Sequence, residues 1–388
     1  MNEFRYTSYA QEIIFAAGSV AQLGDAVERF RWRRLMLCST GSLRRGGHIA
    51  TLEKALGSRL VAVYESVQPH VPHFQVAEAL ELASEKKIDA LIGMGGGSPI
   101  GMAKAVSMAL EEKRTGQQAR AAFPTDQPLV PVVAIPTTYA GSEMTPTYGI
   151  TYSNDGSVRK VTETDSKITP KLVIYDPLLT LNLSSAMTAS TGINALAHCI
   201  EALYSITRNP LSTSEALGGV RSIYTALPRC CIEGNDLEAR TEMLVGAFLA
   251  GSALSHVTMA LHHGLCHTLG GTASVPHGVA NSIILPHAMR FNMDVTASQL
   301  AQAAEAMGIG RDKSGPYLSD EVVAEEVVER IYALIGQMKL PQRLRDVGVK
   351  EADLPHLAQI ALQSRAVKSN PKPITDAAQI ETVLQAAW

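Results

Sequence analysis

Sixteen residues of this 388-residue chain, HHGLCHTLGGTASVPH at positions 262–277, carry four of its eleven histidines. Imidazole ligates metals, donates hydrogen bonds and moves protons near neutral pH, so the cluster reads as a candidate reactive pocket. His263 and His267 stand four residues apart, on one face of a helix. Upstream, GINALAHCIEALY puts Asn194 and His198 at the same spacing on a second helix, and His277 follows a Gly-rich turn in PHGV. One lone histidine on an apolar helix is usually a satisfied core residue; two such pairs and a third contributor point to a polar pocket. A zinc or iron site wants three or four nitrogen or oxygen ligands, often with a carboxylate. The set available here is Asn194, His198, His263 and His277, in which a neutral amide stands where a carboxylate is usual. His262, one residue from His263, is expected to face away, and His256, His287 and His356 have no evident partner.

A second motif, GMGGGSPIGMAK (93–104), puts Gly95, Gly96 and Gly97 after an apolar run, with Ser98 and Pro99 placed to open a helix. Without side chains in the way, backbone N–H groups can close on a phosphate at a helix N-terminus. The spacing is not the GxGxxG fingerprint, and a tight strand-to-helix turn without a ligand would look similar. A third motif, IPTTYAGSEMTP (135–146), is dense in hydroxyls: Thr137, Thr138, Ser142 and Thr145 could hold a pyrophosphate, a ribose or a nicotinamide amide, or form only a polar turn.

These groups need elements to position them. RRLMLCST (33–40), RLVAVYE (59–65), IDALIGMGGG (88–97), VPVVAIPTT (130–138) and KLVIYDP (171–177) read as strands, and 71–87 and 101–112 as helices. Their alternation predicts a parallel sheet covered on both faces over residues 1–180. Residues 113–128 read as a surface loop. From 181 to 388 long Ala- and Leu-rich segments predict an all-helical domain. A substrate is expected in the cleft between two such domains.

Bulk properties exclude several alternatives. The chain is 46% hydrophobic and 18% charged, with a net charge of −3, and has no basic block suited to nucleic acid. No apolar run reaches the roughly 18 residues of a membrane span. The polar start, MNEFRYTSYAQE, lacks the build of a signal peptide, so the cytoplasm is the expected compartment. Cys38, Cys199, Cys230, Cys231 and Cys266 are odd in number and match no disulfide or zinc spacing; buried thiols are expected.

The order GGGS, IPTT…GSE, Asn-xxx-His, His-xxx-His and PHG, running nearly the whole chain, resembles the iron-type alcohol dehydrogenase superfamily. That resemblance implies a Rossmann-like dinucleotide domain, a helical catalytic domain, NADH or NADPH as cofactor, and a homodimer. Metal-dependent members usually carry Asp where Asn194 stands. The maleylacetate reductases carry Asn there, and TTYAGSEMTP, HVP (70–72) and NPKPIT…LQAAW also resemble that branch. Gly101 replaces an Asp of most relatives, while PHGVANSIILPHAMRFN is more like the general alcohol dehydrogenases and 113–128 is longer than in a typical reductase.

The branch implies hydride addition to the C=C bond of maleylacetate, a dicarboxylate, giving 3-oxoadipate. Loss of an anionic ligand predicts weak metal binding and a pocket that favours a dianion, with His267 as first choice for proton transfer and His198, His263 and His277 as donors. The resemblance assigns Gly95, Gly96, Gly97, Ser98, Thr137, Thr138, Ser142 and Lys160 to the cofactor. Ser39 stands where NAD-preferring relatives often have Asp, and Arg44 and Arg45 lie close by, so both cofactors are expected to be accepted. The alternatives are an iron- or zinc-dependent alcohol dehydrogenase or aldehyde reductase acting on a carbonyl substrate, and a non-redox dinucleotide-binding protein.

Overall fold

A computed structural model describes residues 4, 6–116, 119–154, 157–309 and 318–388, apart from the side chains of 153–160. It divides into two compact units, Met1–Asn182 and Leu183–Trp388. The first holds strands β1 (Glu12–Phe15), β2 (Leu35–Cys38), β3 (Leu60–Tyr64), β4 (Ala90–Gly95), β5 (Val132–Pro136), β6 (Thr147–Asn154), β7 (Ser157–Thr164) and β8 (Leu172–Tyr175). Its helices are α1 (Leu23–Arg29), α2 (Gly41–Arg45), α3 (His48–Leu56), α4 (His73–Glu85) and α5 (Gly97–Thr115).

Six strands form one sheet in the order β1-β8-β5-β4-β2-β3, every pair parallel. The sequences explain the order. LMLC, ALIGMG, VVAIP and LVIY are apolar on both faces and wholly buried, as inner strands must be. β1 and β3 are half-buried and take the two edges. Separate apolar clusters cover the faces, one around Met36, Leu91 and Val106, the other around Leu37, Ile92 and Ile174. The chain runs outward from β2 to β3, then returns across β2 to β4 and β5. The glycine run ends β4 at that reversal, where open α/β sheets leave a crevice for ligands.

The five strand segments and two helices read from the sequence are present. β1 is an addition, because four half-buried residues carry too short a pattern to stand out. So is the β6–β7 antiparallel hairpin, whose polar TYGITYSN and SVRKVTET lack an apolar run. α5 extends through 113–115 of the segment expected as loop, and Gln117 and Gln118 lie outside the described residues.

The second unit contains α6 (Ser185–Tyr204), α7 (Pro210–Ile232), α8 (Leu237–His256), α9 (Leu261–Thr272), α10 (His277–Ala306), α11 (Asp320–Gln337), α12 (Leu354–Leu362), α13 (Arg365–Lys368) and α14 (Ala377–Ala386). Most long helices carry their own start signals. Ser184 caps α6, Asn209 with Ser212 forms a capping box on α7, and Asp236 caps α8. α9 starts at Ala260 with no side-chain cap of its own. α6 is buried along most of its length, so its polar residues Asn194, His198 and Glu201 are interior groups. No single helix among the described residues is long and apolar enough to cross a membrane. All five cysteines are free thiols, four buried and Cys231 half-buried.

Candidate active site

In the helical unit the candidate residues come together. The rings of His198 and His263 stack with centroids 4.6 Å apart and 14° between planes. His277 lies 6.3 Å from His263 and 5.6 Å from His267, and His267 lies 6.3 Å from His263. Helix geometry places each ring: Asn194 and His198 share a face of α6, His263 and His267 a face of α9, and His277 opens α10. The glycine of the PHG motif has a steric cause. A Cβ on Gly278 would stand 2.7 Å from the Ser190 Cβ, so only glycine lets the first turn of α10 close on α6.

His198 and His263 are buried, and His267 is exposed on the helical unit. Burial and the neighbouring imidazoles hold the His198 ring well below the usual histidine range, and burial with His267 pushes His263 down to about 3. Both rings are neutral at pH 7.

Glu201, which the sequence reading passed over, explains the rest of the arrangement. It lies fully buried on α6 and its Oε2 is 2.5 Å from His263 Nδ1. His262 is expected to face away, and it does turn to other partners while staying buried. Its backbone N–H donates to Glu201 Oε1 at 3.0 Å, its Nε2 meets the Asn281 carbonyl at 3.2 Å and its Nδ1 meets His263 Nδ1 at 3.2 Å. A carboxylate can only accept, so the His263 proton resides on Nδ1 and its Nε2 presents a lone pair. As a neutral ring, His263 is therefore an acceptor toward the pocket, and donation falls to His198, His267 and His277. The signal was present in the sequence: Asn194, His198 and Glu201 are spaced i, i+4, i+7, one face of a helix.

Three buried atoms here have no hydrogen-bond partner: Asn194 Oδ1, His198 Nδ1 and His263 Nε2. Buried polar atoms left this way imply a polar occupant. Two of the three are acceptors, so the set has the chemistry to meet a divalent cation, which Asn194, His198, His263 and His277 could hold. Its ligand groups are neutral: one amide and three imidazoles. Among the described residues, only Glu201, His262 and His263 gather three ligand atoms of His, Cys, Asp or Glu within 4.8 Å of one another, and that trio is satisfied internally.

In the α/β unit, β4 turns into α5 through Gly95, whose φ is +144°, and a Cβ there would sit 2.7 Å from Pro99 Cγ. Gly96 leaves room for Thr138 Oγ1, which a Cβ would approach to 3.2 Å. α5 starts at Gly97 with no side-chain cap, so its first N–H groups are available to an anion. Ser98 lies inside the helix instead of capping it, and its Oγ accepts from the His70 N–H at 3.2 Å. Thr137 is tied to the turn by its N–H to Gly95 O at 3.0 Å, and Ser142 opens the next loop after Gly141. Thr145 is buried against Lys104 and takes no part in an open surface.

Two expectations change in this unit. Ser39 is fully buried and its hydroxyl donates to Met94 O at 3.0 Å, so it braces β2 to β4. Arg44 is engaged by Glu53 at 3.0 Å and by Glu65, whereas Arg45 makes no ion pair among the described residues. The backbone of Lys160 pairs with Thr151 in the hairpin, and its side chain lies outside the described residues.

Two family models match the chain, iron-containing alcohol dehydrogenase over residues 10–177 and the C-terminal domain of the Fe-containing alcohol dehydrogenase family over 188–388. Maleylacetate reductase 1 of Cupriavidus pinatubonensis is 34% identical over 100% of the chain and 98% of that protein. The crystal structure of maleylacetate reductase from Agrobacterium tumefaciens superposes with a TM-score of 0.84 at 32% identity, covering 100% of this chain and 99% of that one. A 1,3-propanediol oxidoreductase structure gives a TM-score of 0.91 at 29% identity, covering 99% of this chain and 100% of that one.

Proposed function

Because the chain belongs to the iron-containing alcohol dehydrogenase family, we infer that it is an NAD(P)H-dependent oxidoreductase of the maleylacetate reductase type. The observation that carries this reading is the Asn194 amide, placed with His198 and His263 in a buried set that holds no carboxylate aimed inward. Full-length likeness to maleylacetate reductases supports it.

Hydride leaves C4 of the nicotinamide and adds to the alkene carbon β to the ketone. Negative charge develops on the ketone oxygen, and the α carbon then takes a proton. The chain's contribution is positional and electrostatic. Gly95, Gly96, Gly97 and the open start of α5 hold the pyrophosphate, with Ser98, Thr137, Thr138, Ser142 and Lys160 around the rest of the cofactor. His198 and His277 supply hydrogen bonds to the developing oxyanion, and His267, on the open side of α9, delivers the proton. A neutral Asn194 in place of a carboxylate avoids repelling a dianionic substrate. A divalent ion, when bound by Asn194, His198, His263 and His277, supplies Lewis-acid polarisation of the ketone oxygen; the neutral ligand set holds it weakly. Family resemblance extends the reading to a cytoplasmic homodimer.

The second reading, a metal-dependent alcohol dehydrogenase or aldehyde reductase, is favoured by PHGVANSIILPH and by the 0.91 TM-score to the propanediol enzyme. The test is a substrate panel on chelator-treated protein, with maleylacetate and small aldehydes and with both NADH and NADPH. Maleylacetate turnover with both cofactors, within about a hundredfold in kcat/KM, is the expected result. Turnover of aldehydes alone, restored only by added metal, would transfer the assignment to the second reading.

A further inference from the structure

α9 carries His263 and His267, yet nothing in its own sequence caps it: Ala260 holds the cap position and supplies no side-chain acceptor. Acceptors come from elsewhere in the unit: Asn370 Oδ1 takes the Leu261 N–H at 3.2 Å, and the next N–H is met from α6. The Glu201 carboxylate takes the His262 N–H at 3.0 Å. The same group holds the His263 ring by Nδ1 at 2.5 Å. Glu201 is fully buried, so water does not compete for these bonds. The proton assignment closes around it: His262 donates from Nε2 to Asn281 O, which leaves the His262 Nδ1 as a second acceptor facing His263 Nδ1–H.

We propose that Glu201 is a positioning residue that fixes His263 in the Nδ1–H tautomer, turns its Nε2 lone pair toward Asn194 and His198, and anchors the start of α9. One carboxylate thereby sets both the place of the helix and the chemistry of the ring it presents. The proposal rests on the reading of this pocket as the active site, but its first test needs no substrate. In metal-free protein labelled with ¹³C,¹⁵N-histidine, the His263 ring is assigned by correlation to its own backbone amide. Wild type is expected to show a protonated Nδ1 and an unprotonated Nε2. Glu201→Gln, whose amide can present N–H to Nδ1, is expected to move the proton to Nε2.

In turnover, Glu201→Gln is expected to lower kcat about ten- to hundredfold and to leave KM for the nicotinamide cofactor unchanged, with Glu201→Asp recovering part of the loss. Added to His263→Asn, it is expected to cost less than it does alone, because part of its effect passes through that ring and the rest through the start of α9, which also carries His267. A wild-type His263 protonated on Nε2 would overturn the proposal even if no variant folds. So would an equal loss from Glu201→Gln with and without His263. The tautomer result stands apart from the substrate assignment: the expected spectrum without maleylacetate turnover would remove the reductase reading and leave the positioning role.

Discussion

The ammonium of Lys104 lies 2.7 Å from the carbonyl oxygen of Thr145. It comes from α5, the helix that starts at the glycine turn, and reaches into the loop that follows β5. Ser142 O at 2.6 Å, Thr147 O at 3.1 Å and Thr145 Oγ1 at 3.3 Å complete its shell, so one fully buried amine ties the 3-10 turn at Ser142–Met144 and the residue after it to the first residue of β6. The stretch from Ser142 to Thr147 has its shape imposed by this side chain. Burial pushes the Lys104 amine down to about 7, and nearby Glu143 opposes that shift.

Replacing Lys104 by Met takes a donor from three carbonyls; Ser142 O keeps the Thr145 N–H at 3.2 Å, whereas Thr145 O loses its Lys104 bond, at about 1–3 kcal/mol for a group that water cannot reach. The loop carrying Ser142 then loses its definition. NADH affinity, read by fluorescence titration, is expected to fall about tenfold or more, with a lower thermal midpoint. Thr145→Val removes the 3.3 Å contact to Lys104 and the hydroxyl's bond to Ser142 O at 3.1 Å but leaves the Lys104 bonds to the three carbonyls, and is expected to have a smaller effect than Lys104→Met. Unchanged affinity in a folded Lys104→Met protein would show that the loop does not serve the cofactor.

Asn194→Asp restores an anion beside His198 and His263. Opposite charges within a few ångströms attract by several kcal/mol at a protein's effective dielectric, so divalent-metal affinity is expected to rise about a hundredfold, roughly 2.7 kcal/mol. The same charge repels a dianionic substrate, so maleylacetate KM is expected to rise as metal content rises. Metal analysis after exhaustive dialysis, on wild type and variant together, makes the measurement. Stoichiometric metal already held by dialysed wild type would contradict the weak-site reading.

Much of this was legible in the sequence because period and burial agree. Strands such as LMLC and VVAIP are apolar throughout and became inner strands, and the i, i+4 pairs Asn194/His198 and His263/His267 converged as spacing requires. The failures share a cause: they depend on which long-range partner a side chain meets. Ser39 stands at a strand end where a ribose contact is plausible, but Met94 O takes its hydroxyl. Ser98 has the chemistry of a cap, but the helix starts before it. Glu201 shares a helix face with Asn194 and His198 by spacing, but its hold on His263 and on the start of α9 depends on residues far along the chain. Local pattern carries no record of such pairings.

His287 offers a pH test away from the pocket. It sits half-buried on α10, one turn from Arg290, and burial, then that guanidinium, push it down to about 4. Arg290 is itself held by Glu325 at 2.9 Å and by Glu329. In the unfolded chain His287 titrates near the ordinary 6.5. Between the two values the unfolded chain binds more protons, so folding stability rises with pH across that window. The stability linked to the neutral ring is complete above about pH 6.5 and is lost as pH falls toward 4. His287→Gln has no such titration. Its thermal midpoint relative to wild type is expected to be constant from pH 7 to 8 and to rise as pH falls from 6.5 to 4.5. The gain should be about 1–2 kcal/mol after allowance for solvent screening, or about 2–8 °C for a unit of this size. A difference between the two proteins that does not change with pH would mean that His287 is as readily protonated in the folded chain as in the unfolded one, and that the packing around it exacts no electrostatic cost.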